Sequence, residues 1–161
     1  MGGMFYTLTL AAHNVMRWVV VLLAIYALYR IYTGWLGKKP FTESDRKALS
    51  FFSIGMDIQL LLGLLLYFVL SPITTSAFSN FGAAMSNAGV RQFAVEHILM
   101  MVIAVVLAHV AVVMARKGAT DLSKFKRGAL WLTLSVLFVL AAIPWGRPLL
   151  PQFSMIMQWF A

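Results

Sequence analysis

Apolar residues come in four long runs, at residues 10–32, 51–70, 93–115 and 128–143, separated by short stretches that hold most of the polar side chains. Each run approaches the roughly 20 residues that a helix needs to cross the hydrocarbon of a bilayer, with the fourth marginal in length. The pattern predicts an all-α, single-domain chain with four transmembrane helices in an up-down-up-down bundle. Thr42-Glu43-Ser44-Asp45 ahead of the second run resembles a capping box, so that helix is expected to start in the loop. Pro144, followed by Pro148 and Pro151, ends the fourth. Residues 144–161 are apolar but too short to span, and read as an interfacial tail.

Composition agrees with a lipid environment. Apolar side chains make up 61% of the 161 residues and charged ones 11%, more apolar surface than a soluble fold of this size can hide. The net charge of +8 comes from short clusters between the runs, not from a continuous basic stripe, so nucleic acid is not the expected partner. Lys38, Lys39, Arg46 and Lys47 fill the first connection, and Arg116, Lys117, Lys124, Lys126 and Arg127 the third; the second carries only Arg91. The positive-inside rule then places both termini on the side away from the cytoplasm, N-out and C-out. Trp35 and Trp131 mark the inner boundary and Trp145 the outer one. The stretch around residues 76–89 is expected outside, lying on the membrane. The chain has no cysteine, which excludes disulfides, thiolate metal sites and covalent haem attachment. It also lacks the motifs of phosphate-binding loops, metalloproteases and hydrolases.

Ionisable groups inside the runs are costly and so are functional candidates: His13, Arg17, Arg30, Asp57, Glu96, His97 and His109. Counting from the inner boundary at 1.5 Å per residue puts His13 at roughly 24 Å and His97 at roughly 27 Å, one common level near the outer leaflet. On diagonal helices of a bundle the two imidazoles can face each other as the axial pair of a b-type haem. Arg17, Arg91 and Arg147 are candidate partners for its propionates. The competing reading has the histidines bonded to carbonyls and Arg17 paired with Glu96.

A second level lies roughly 9 Å from the inner boundary, where Asp57 and His109 are expected to meet. A proton relay or a quinone head-group pocket, with Arg30 and Gln59 nearby, competes there with a buried ion pair that fixes packing. Met56 at this depth is a candidate His/Met haem partner for His109. Gly55 and Gly63 allow close approach of a backbone or a flat cofactor, and Tyr26, Tyr29 and Tyr32 read as belt residues.

The segments His13-Asn14-Val15-Met16-Arg17-Trp18, Gly34-Trp35-Leu36-Gly37-Lys38-Lys39-Pro40-Phe41, Gln59-Leu60-Leu61-Leu62-Gly63, Glu96-His97-Ile98-Leu99-Met100-Met101 and Ile143-Pro144-Trp145 together give a resemblance over most of the chain. It resembles small four-helix bacterial membrane proteins usually labelled cytochrome b, and is more distantly similar to dihaem membrane cytochromes b. The resemblance implies haem b and a role as an electron-transfer component, not a stand-alone enzyme, working with quinone or a larger respiratory or photosynthetic complex. The chain departs from the dihaem pattern, since its fourth run has no histidine and its second offers Asp57. A non-redox accessory subunit and a small proton-coupled transporter using Asp57 and His109 are the alternatives.

Overall fold

A computed structural model describes residues 2–145. Four helices long and apolar enough to cross a membrane dominate it, and the chain is a multi-pass membrane protein. Helix α1 runs over Gly2–Leu36 and α2 over Glu43–Leu65, continued by a π-helical turn at Leu66–Leu70. Three short helices follow, α3 (Pro72–Ser79), α4 (Phe81–Ser86) and α5 (Ala88–Arg91). A second π-helical turn, Gln92–Glu96, leads into α6 (His97–Arg116), and α7 covers Asp121–Ala142. Each long helix packs on the next and α7 closes back on α1, so α1 and α6 stand across the diagonal.

The helices outrun the apolar runs. The first begins eight residues before residue 10, because Gly2–Thr9 continues the helical path with apolar side chains. The fourth is not marginal: it starts at Asp121, where the Thr120 hydroxyl accepts from the Ser123 N–H, and has 22 residues. Its basic first turns are amphipathic, with Phe125 buried while Lys126 and Arg127 face outward. At the head of α2 the Asp45 carboxylate accepts from both the N–H and the hydroxyl of Thr42, which closes the expected capping box. Asp45 also accepts from Arg30 Nε at 3.0 Å, tying the start of α2 to α1.

Packing depends on small residues turned inward. Ala104, Ala108, Ala111 and Ala115 recur at helical spacing on α6 and are buried against α7. Without large side chains between them the two backbones come close, and the Ser135 hydroxyl donates across to the Ala104 carbonyl at 2.7 Å. Gly34 on α1 leaves room for the buried Phe125 ring, and Gly55 on α2 faces Leu23. The connections α1–α2 and α6–α7, which hold the basic clusters, share one end of the bundle. The chain start and α3–α5 share the other. Tyr26 and Tyr29 are exposed near the basic end, and the Tyr32 hydroxyl bonds Thr133 on α7.

Candidate functional site

At the end away from the basic loops the four long helices diverge around a cavity of about 410 Å³. Its position follows from the chain. The π-helical turns that end α2 and begin α6 each add a residue to the helical path and redirect Tyr67 and Phe93 onto the cavity wall. The Tyr67 hydroxyl donates to the Ala94 carbonyl at 2.7 Å and so joins the two turns. The short helices are anchored there too, by the Thr74 hydroxyl donating to the Tyr67 carbonyl.

His13 from α1 and His97 from α6 meet in this cavity, with ring centres 6.4 Å apart and planes at 68°. The His97 Nδ1–H donates to the Ala142 carbonyl on α7 at 2.8 Å, which places the lone pair of the neutral ring on Nε2. Gln59 of α2 is almost fully buried, and its amide nitrogen donates to the His13 carbonyl at 3.2 Å and to His13 Nε2 at 3.1 Å. His13 Nδ1 and Gln59 Oε1 are buried and have no hydrogen-bond partner within the protein. Because the Gln59 amide nitrogen must donate to the His13 carbonyl, it also donates to Nε2, and the proton of the neutral His13 ring is on Nδ1. Gly63 lies against the His13 ring: a Cβ there would stand 3.3 Å from His13 Cε1. Arg17, one turn along α1 from His13, also lines the cavity.

The other expected site residues divide. Arg91 is not on the cavity wall; its Nε donates to Glu96 at 2.8 Å and Nη1 to the Met85 carbonyl. The proximity of Glu96, five residues on across a π-helical turn, decides this, and it also gives Glu96 a partner other than Arg17. Arg147 lies outside the described residues, as does most of the tail.

At the second level the expected meeting of Asp57 and His109 is present: His109 Nε2 donates to Asp57 Oδ1 at 2.8 Å. The Ser53 hydroxyl, one turn before Asp57, lies 3.2 Å from His109 Nδ1. Three expectations need correction here. Met56 is fully buried in the core while His109 stands on the outer face with its nitrogens turned to Ser53 and Asp57, so Met56 and His109 do not face one site. Arg30 turns to Asp45 and Thr42, whose polar atoms satisfy its guanidinium closer to the basic end. The Asp57–His109 pair is not buried: the side chains are 41% and 54% exposed on the outer face of α2 and α6.

Sequence reading placed Gln59 with the wrong level and overlooked Ser53. Both had a signal. Gln59 precedes Gly63 by four residues and shares its face, and Ser53 stands in the same relation to Asp57.

Among the described residues no group of three or more His, Cys, Asp or Glu converges to hold a metal ion. Two imidazoles alone are a sufficient protein ligand set only where a macrocycle fills the other positions of the iron. No protein-family model, curated protein or solved structure matches this chain.

Proposed function

We propose that the chain is a membrane b-type cytochrome that passes electrons to or from quinone or a larger respiratory or photosynthetic complex. The observation that carries this reading is the His13–His97 pair, 6.4 Å between ring centres, in the cavity at one end of the bundle. Two imidazoles sharing one metal place their ring centres about 6 Å apart, from a metal–nitrogen bond of about 2 Å on each side and the remaining distance into each ring. The donor set fits once one hydrogen bond is exchanged: His97 offers Nε2, and His13 would offer Nε2 on release of the Gln59 amide, which keeps its bond to the His13 carbonyl. A bland helix-packing role for His13 and Gln59 does not require two orphaned polar atoms.

His13 and His97 would hold the iron, and Arg17 would neutralise the propionates. The group supplies one-electron redox chemistry when bound. The chain's own residues orient and insulate it. The Ala142 carbonyl holds the His97 ring in one tautomer, as a carbonyl partner does for metal-bound imidazole generally. Gln59 holds the His13 backbone through its carbonyl, and the apolar walls from Leu10, Leu66, Met101 and Val139 keep water out. The basic clusters at the opposite end support N-out orientation in a bacterial inner membrane, with the histidine pair near the outer leaflet.

A reduced-minus-oxidised absorption spectrum of the purified protein tests the reading. A split b-type difference band is expected. A featureless difference spectrum from protein expressed with ample haem would leave the non-redox accessory subunit as the better account.

A further inference from the structure

The Asp57–His109 pair is the one place where ionisable side chains face outward from the apolar belt among the described residues of α2 and α6. Its neighbours on that face are large and apolar: Phe51, Ile54, Ile58, Val102, Val106 and Val113 are all at least 40% exposed. The pair is deep. Asp57 stands six residues inside the apolar run that begins at Phe51, about 9 Å, and His109 seven residues from Arg116, about 10 Å from that end. Lipid head groups do not reach this depth. An ionisable pair facing hydrocarbon is costly unless something covers it.

Beside the pair lies a shallow groove of about 370 Å³, lined by His109 with Val105, Val106, Val110, Val113 and Met114. Its walls are apolar throughout, and the polar atoms of the Asp57–His109 pair stand at its edge, where His109 borders it. An occupant must therefore travel within the bilayer, be apolar over most of its surface, and present hydrogen-bonding oxygens at one edge. We propose that Ser53, Asp57 and His109 form a site, open sideways to the bilayer, for the head group of a lipid-dissolved quinone or quinol. Asp57 would accept from a quinol hydroxyl through Oδ2, and the His109 Nε2–H, with Nδ1 braced by Ser53 from the interior, would exchange Asp57 Oδ1 for a quinone carbonyl. A second copy of the chain fits this face less well. Close helix association in lipid needs small residues, and here the small residues of both helices, Gly55 on α2 and Ala104, Ala108, Ala111 and Ala115 on α6, are turned inward.

This site gives the proposed electron carrier its lipid-soluble partner, but its occupancy does not require haem, so the two readings fail separately. The test is photolabelling of the whole protein in nanodiscs with an azido-benzoquinone carrying a short alkyl tail. Label is expected on residues 51–61 and 102–113. His109→Leu should cut labelling at least about tenfold, the loss expected for one strong hydrogen bond. Val106→Trp, which fills the groove and leaves every polar group in place, should do the same with an unchanged melting curve. Labelling that Val106→Trp leaves intact, or that spreads evenly over all four helices, would overturn the site. So would efficient disulfide formation between copies of Ile58→Cys, since a second chain would then cover the face.

Discussion

His97 Nδ1 donates to the carbonyl oxygen of Ala142 across 2.8 Å, joining the first residue of α6 to the last residue of α7. The bond uses a carbonyl that the helix end leaves without an intrahelical donor. It also fixes which nitrogen of His97 is available to a ligand. Nitrogen-15 NMR of the haem-free protein should find His97 as the neutral Nδ1–H tautomer. A ring protonated at Nε2 would remove the donor atom on which haem ligation by His97 depends.

Two glycines separate packing from function. A Cβ on Gly34 would collide with the Phe125 ring, which is 1% exposed and has nowhere to go. Gly34→Ala should lower stability by about 1–3 kcal/mol without touching the cavity. Gly63→Ala puts a methyl 3.3 Å from His13 Cε1, so it should weaken haem retention more than it lowers the melting temperature. Equal effects of the two substitutions on both readouts would contradict this division.

Polar anchors should differ in weight. Asp45 accepts three hydrogen bonds, from Arg30, the Thr42 N–H and the Thr42 hydroxyl, while being only 3% exposed. Asp45→Ala is expected to cost about 1–3 kcal/mol, because it leaves several donors without their acceptor. Ser135→Ala removes one interhelical bond in the apolar region, for which about 0.6 kcal/mol is typical in membranes. Thermal unfolding in detergent measures both, and a larger loss for Ser135→Ala would reverse the ranking.

Much of the bundle was legible because lipid imposes it. Apolar run length, the Thr42–Asp45 cap and the charge clusters specify four helices and their alternation without reference to any contact. Depth counting was enough to bring His13 to His97 and Asp57 to His109, since helical rise is constant. Azimuth was harder to read. Counting residues places Asp57 at a depth but does not say whether its face is covered, and the structure turns it outward where a buried pair was expected. Arg91 and Arg30 were misassigned for a related reason: each found a carboxylate closer to its own loop, through turns whose geometry hydropathy does not encode. The π-helical turns, which shape the cavity, leave no periodicity signal at all.

Topology can be read with single cysteines, because the natural chain has none. Cysteines replacing Lys39 and Lys126, exposed on the basic end, should react with a membrane-impermeant maleimide only from the cytoplasmic side. One replacing Ser79 in α3 should react only from the outside. Cytoplasmic labelling at position 79 would invert the orientation and place the histidine pair in the inner leaflet.

The central claim is that His13 and His97 are the two axial ligands of one haem, and absorption spectra of the ligand variants test it most directly. The wild-type protein should be six-coordinate and low-spin in both oxidation states. His13→Ala and His97→Ala should each turn the spectrum high-spin or abolish haem retention, while His109→Ala, whose ring nitrogens are held by Asp57 and Ser53, should leave it low-spin. A low-spin spectrum that survives removal of either His13 or His97 would contradict the assignment.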